Sequence, residues 1–170
     1  MSDLYLEELI KIKETGKDKL IRYGLMAVTF VLLVLSFLTW SMMFIFPAIV
    51  VCVVDIFVFP RLRVEWEYQY VNGELDIDKI MNKSKRKRMA SYDVDGVEIV
   101  ALAVSHRLDY YNNNPKLKVR DFTSCDPAKE KSVYAMVLSN EGELNKVLFE
   151  PSEAMLKDMR SKAPRKVFFD

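Results

Sequence analysis

Thirty-two consecutive residues between Arg22 and Asp55 carry no charge, and the apolar pattern runs on through Ile56, Phe57, Val58 and Phe59 to Pro60. As one helix from Tyr23 to Pro60 it would extend about 57 Å at 1.5 Å per residue, nearly twice a hydrocarbon core of roughly 30 Å. Tilt rarely absorbs such a mismatch. The run therefore predicts two short crossings, at about residues 18–38 and 42–60, within a hairpin segment 17–60. Its centre changes character at Ser36, Thr39, Trp40 and Ser41, the expected turn, and tryptophan favours the headgroup level. Lys17, Lys19 and Arg22 precede the run while Arg61 and Arg63 follow it. Basic residues at both ends place both termini in the cytoplasm, in a multi-pass protein of the cell membrane. The competing single crossing would put the C-terminal part outside. A cleaved signal peptide fits less well, because its apolar region is only 7–15 residues long.

The flanks alternate differently. In residues 1–16, Leu6, Leu9, Ile10 and Lys13 recur at helical spacing, which predicts an amphipathic helix capped by Ser2 or Asp3 and ended at Gly16. Such a helix rests on the inner leaflet or packs on a protein surface. After the run, 64–71 alternates strictly, Asn72-Gly73 follows, and 74–78 alternates again. Asn-Gly between alternating segments is a two-residue hairpin turn, since both positions need positive φ. Trp66, Tyr68, Tyr70, Leu75 and Ile77 then share a core face, and Glu65, Glu67, Glu74, Asp76 and Asp78 a solvent face.

A third strand is expected from about Arg86 to Asp93. If Ala90 and Tyr92 face the core, Lys85 and Lys87 lie beside the acidic face, while Arg86 and Arg88 point to the core side at the sheet's rim. Those two arginines and Lys83 are the candidate anion or lipid contacts. Paired or solvated surface is the plainer account of this basic run, and nucleic acid a third. Residues 99–104 form a helix or a strand; 117–122, 132–139 and 143–149 read as strands. Pro151 suits the first turn of a closing helix that carries Met155, Leu156 and Met159 on one face and stops at Pro164.

The net charge of +1 divides unevenly: residues 61–170 hold 20 basic and 18 acidic side chains. These 110 residues suffice for one small domain with its own core. Cys52 and Cys125 are the two cysteines, one in the apolar run and one in the polar part, so no disulfide framework is expected. His106 is the sole histidine, which excludes a multi-histidine metal site within one chain, and nothing in its spacing from Cys125 and Asp109 supports a Cys-His arrangement. No phosphate-cradling glycine motif, nucleophile elbow or zinc-protease motif occurs. The chain reads as non-enzymatic, with no cofactor. Asp55 is the one ionisable residue inside the run, and pairing with Arg22 or Lys19 across the hairpin, or reaching for the interface, accounts for it better than an ion pathway does.

Strands in meander order closed by one amphipathic helix point to an α+β fold, a small antiparallel β-barrel or sandwich behind a transmembrane hairpin. The stretches 147–156 and 163–168, the Asn72-Gly73 hairpin and 121–124 give the chain a resemblance over nearly its whole length. It resembles uncharacterised small bacterial membrane proteins that carry a pleckstrin-homology-like cytoplasmic domain. The resemblance implies that residues 61–170 form that domain, with the helix plugging one end. No activity comes with it. The related eukaryotic modules bind inositol lipids through a basic first hairpin, whereas Glu74, Asp76 and Asp78 make this one acidic. The expected role is a membrane-anchored scaffold or interaction module, with anionic lipid headgroups, a protein or a second copy as partner, and nucleic acid disfavoured. The alternative is an accessory subunit of an oligomeric transport or channel assembly, with Asp55 against a partner helix.

Overall fold

The computed structural model describes residues 4–40, 42–140 and 143–169. They form two compact units: 1–12, 65–80 and 85–170 make the first, and 13–64 with 81–84 the second.

The second unit is a helical hairpin, with α1 at Gly16–Thr39 and α2 at Met42–Leu62. Thr15 and Asp18 start α1 with a reciprocal capping box, in which the Thr15 backbone N–H donates to Asp18 Oδ2 at 3.1 Å. Such a box satisfies orphan donors of the first turn. Trp40 ends α1 in the left-handed conformation, at φ 47°. Ser41, the last of the expected turn residues, lies outside the described residues, as do Ser2 and Asp3. No residue of α1 is buried, and Leu20, Phe30, Phe37 and Leu38 are all exposed. Both helices are long and apolar enough to cross a membrane.

The first unit begins with a correction. Residues expected as an amphipathic helix form strand β1 (Tyr5–Lys11), paired antiparallel with β2 (Val64–Val71) from Tyr5 opposite Val71 to Lys11 opposite Glu65. Leu4, Leu6 and Ile10 pack on the core while Tyr5 and Leu9 stay exposed. The segment alternates with period two once a strand edge is available to it. That edge lies beyond the hairpin in sequence, so local spacing could not display it.

β2 is followed by β3 (Glu74–Met81) and β4 (Lys85–Asp93), completing a sheet in the order β1-β2-β3-β4. Asn72 at φ 52° and Gly73 at φ 98° form the expected turn between β2 and β3. A second sheet has the order β5-β7-β8-β6, from β5 (Val97–Leu102), β6 (Lys118–Asp121), β7 (Tyr134–Asn140) and β8 (Glu143–Phe149). One helical turn, α3 (Asp109–Asn112), lies on the connection from β5 to β6.

The sheets are sandwich-like and do not close into a barrel, and they are not wholly antiparallel, since β6 pairs parallel with β8. A long connection delivers β6 to the sheet's far edge ahead of β7, so it meets β8 running the same way. The closing helix α4 (Glu153–Lys162) is capped by Ser152, whose hydroxyl accepts from the Met155 N–H. Met155, Leu156 and Met159 are buried with Tyr68, Tyr70, Leu75, Ile77, Met136 and Phe149 in one core drawn from both sheets. The C-terminal tail then runs along β5, with Val100 N–H donating to the Lys166 carbonyl and Phe168 N–H to the Val100 carbonyl, both at 2.8 Å.

Candidate functional site

Two strand-borne arginines occupy the acidic surface of the first sheet. Arg86 Nη2 lies 2.5 Å from Glu67 Oε1 and 3.8 Å from Glu7 Oε1. Arg88 Nη2 lies 2.6 Å from Asp76 Oδ2, with Nε 3.8 Å from Asp78 Oδ1. Arginine, not lysine, therefore meets the carboxylates, against the expectation for the start of β4, while Ala90 and Tyr92 further along pack on the core as expected. The face called solvent is itself largely covered: Glu67 is 1 % exposed and Asp78 9 %. With β1 on its outer edge, β2 is an interior strand, and a carboxylate there needs a hydrogen-bonding counter-charge. Burial pushes the Glu67 carboxyl up, and Arg86 pulls it part of the way down. Glu7 is held below the usual range, chiefly by the hydrogen bond from the Tyr5 hydroxyl. Arg86 and Arg88 are thus committed to the sheet, each with its side chain still more than half exposed.

Lys83 stands elsewhere. With Asn82 it turns the chain between β3 and β4, at φ 51° for Asn82 and 58° for Lys83, and the Asn82 N–H donates to the Arg63 carbonyl at 3.1 Å. This bond ties the turn to the end of α2 within the helical unit. Of the three proposed anion contacts, two are ion-paired on the sheet and the third belongs to the base of the hairpin.

Asp55 faces into its own hairpin, 8 % exposed, and accepts from the Thr29 hydroxyl at 2.8 Å. Arg22 is not its ion-pair partner; Arg22 Nη1 lies 3.4 Å from Glu14. Helical spacing explains the difference, since Thr29 stands seven residues further into the hairpin than Arg22, about 10 Å at 1.5 Å per residue. Arg22 and Asp55 nevertheless line one cavity of about 340 Å³, with Ile56, Phe59, Pro60, Arg63 and Asn82. Arg63 and Asn82 are participants that sequence spacing did not single out.

In the sheet unit a cleft of about 390 Å³ and mixed lining opens between β4 and the second sheet, with Ala90, Tyr92, Arg120, Leu138, Ser139 and Asn145 among its walls. Deeper polar contacts serve the fold. The Tyr68 hydroxyl donates to the Phe122 carbonyl at 2.7 Å, and Glu150 accepts from both the backbone N–H and the hydroxyl of Ser124 at 2.6 Å. The Tyr70 hydroxyl donates to Asp158 at 2.7 Å, and burial pushes that phenol up. Among the described residues no group of three or more histidine, cysteine, aspartate or glutamate side chains could hold a metal ion. His106 is exposed beside Asp109, with Nδ1 3.3 Å from Oδ2, and Cys125 is an exposed free thiol.

An α+β sandwich closed by one helix and interrupted near its start by an apolar hairpin defines the class: a small two-sheet domain with a helical insertion. Residues 2–169 match the family described as Bacterial PH-like domain (DUF6106). The chain belongs to that family, and the match takes in the hairpin as well as both sheets. No curated protein and no solved structure matches it.

Proposed function

We propose that this protein is a membrane-anchored, non-enzymatic interaction module, in which the hairpin tethers the PH-like unit to the inner leaflet. The observation that carries this reading is the antiparallel pairing of β1 with β2 on either side of the hairpin. Strands that share a ladder lie in one compartment, so a membrane-spanning insertion between them crosses an even number of times. The 24 residues of α1 and 21 of α2 suit two crossings of a core roughly 30 Å thick. The exposed apolar side chains of both helices find their solvent in lipid. Lys17, Lys19, Arg22 and Arg63 at the open end of the hairpin favour the cytoplasmic side for both termini.

A family of PH-like domains supports a binding or scaffolding role, although fold alone does not name a ligand. Ion pairing of Arg86 and Arg88 with the sheet's own carboxylates lowers their availability to phosphate, which favours a protein partner for the sheet unit. Lys83, with no such pair among the described residues, is the better candidate for anionic lipid at the leaflet surface. The turning of Asp55 into its own hairpin lends less support to an accessory subunit that presents this acid to another helix.

Vesicle sedimentation of the full chain reconstituted with its sheet unit outward tests the lipid arm. Tethering of a second population of phosphatidylglycerol vesicles, lost with Lys83→Glu and unchanged with Arg88→Gln, is the expected result. Equal loss with Arg88→Gln, or tethering by neutral vesicles, contradicts it.

A further inference from the structure

We propose that the cavity at the base of the hairpin binds an aminoalkyl phosphate, with its phosphate on Arg22 and Arg63 and its ammonium on Asp55. Asp55 is more than nine-tenths buried. Its Oδ2 takes the Thr29 hydroxyl, but its Oδ1 has no hydrogen-bond partner among the described residues. A buried carboxylate oxygen demands a donor, and the wall it shares with the cavity is where a donor can come from. Among the described residues, Arg22 is held by one part-exposed contact of 3.4 Å to Glu14, and Arg63 makes no ion pair. Both guanidiniums are thus available to an anion.

Charge chooses between ligand classes. Two guanidiniums and one carboxylate leave the cavity with a net positive charge. A bare anion would sit on the arginines and leave Asp55 Oδ1 without a donor. A bare cation would reach Asp55 only past two guanidiniums. A molecule with an ammonium at one end and a phosphate at the other satisfies all three groups, and the forked guanidinium matches phosphate geometry.

Depth sets the orientation. Asp55 precedes Arg63 by eight residues, about 12 Å of helix, and the Thr29 level lies about 10 Å beyond Arg22. The ammonium therefore enters first, the phosphate stays at the mouth, and Ile56, Phe59 and Pro60 flank the alkyl link. The flexible arginine stems cover part of the span. A cavity of about 340 Å³ falls at the small end of ligand sites, which run from roughly 300 to 1,000 Å³. The same chemistry comes from a free solute or from the headgroup of an ethanolamine phospholipid. The proposal stands on the hairpin's own geometry and goes beyond the anchoring role, whose failure would show in sidedness, not in binding.

The test uses the full chain in detergent, stripped of lipid and titrated calorimetrically with O-phosphoethanolamine. Native mass spectrometry with ethanolamine and choline phospholipids forms the parallel arm. Saturable binding of the free compound identifies a solute site, and retention of the ethanolamine lipid alone identifies a headgroup site. In either arm the choline analogue, whose nitrogen carries no N–H, is expected to bind at least about tenfold more weakly, because a site built for donors rejects a ligand lacking them. Asp55→Asn and Arg63→Gln should each weaken binding about tenfold or more, with Arg88→Gln unchanged. Where Asp55→Asn loses its helical signal, Arg63→Gln and the choline comparison decide alone. Equal binding of ethanolamine and choline compounds, no binding in either arm, or full binding by a folded Asp55→Asn overturns the proposal.

Discussion

Glu67 and Arg86 are the residues at which local pattern and tertiary packing part most clearly. Strict alternation assigns Glu67 to the polar face of β2, which is correct; it does not say that the face is covered. Burial follows from β1 on one side and β3 on the other, and it turns a solvent carboxylate into one that needs Arg86. Removing the guanidinium leaves a desolvated charge, so Arg86→Gln should cost about 1–3 kcal/mol, less than for a fully buried pair because Arg86 is half exposed. Thermal unfolding followed by near-ultraviolet circular dichroism checks it, and an unchanged midpoint contradicts it.

The pH dependence has a definite sign. The folded state raises the Glu67 carboxyl, so it holds that proton more tightly than the unfolded chain does. This group's contribution therefore falls as pH rises through the window between its ordinary and raised values. Glu7, lowered chiefly by Tyr5, contributes oppositely, gaining as pH rises past its own folded value. Arg86→Gln should steepen the loss of stability as pH rises above the ordinary carboxylate range, because the carboxyl rises further without its counter-charge. A flat difference between variant and parent over that rise in pH contradicts the pairing. Tyr70→Phe, which removes the buried bond to Asp158, should cost about 1 kcal/mol by the same unfolding measurement.

Among the elements, those specified by short-range signals were legible and those that depend on distant partners were not. Asn72-Gly73 announces its turn by backbone chemistry alone. Trp40 ends α1 where an apolar run outgrows one crossing, and α4 declares itself by the spacing of Met155, Leu156 and Met159. By contrast, Leu6 and Ile10, four apart, satisfy helical and extended periodicities together, and only the edge of β2 decides between them. The parallel placement of β6 beside β8 has no local marker either. Ile10 packs on the core opposite Trp66, so Ile10→Asp should cost about 2–3 kcal/mol and free the edge of β2. Amide hydrogen exchange should then rise across 65–71 while α4 stays protected; unchanged protection there would mean that β1 contributes little to the sheet.

At the scale of the whole molecule, one connection governs the functional account. The chain leaves the sheet at Lys11, makes two apolar helices, and returns at Val64 to pair with the strand it left. Part of the candidate site was equally visible in sequence: the basic ends of the hairpin and the lone acid within it were conspicuous. Their assembly into one cavity was not, because it depends on how α1 packs on α2 and on a turn that Asn82 ties to Arg63. Sidedness is the property on which the anchoring role rests. Thiol labelling with a membrane-impermeant maleimide measures it directly in intact cells, with exposed Cys125 reporting the sheet unit and Trp40→Cys, in a Cys125→Ser background, reporting the hairpin tip. Labelling of the tip in intact cells, with Cys125 reacting only after permeabilisation, is the predicted result. Cys125 reacting from outside while an N-terminal tag stays inside would contradict a hairpin threaded between two strands of one sheet.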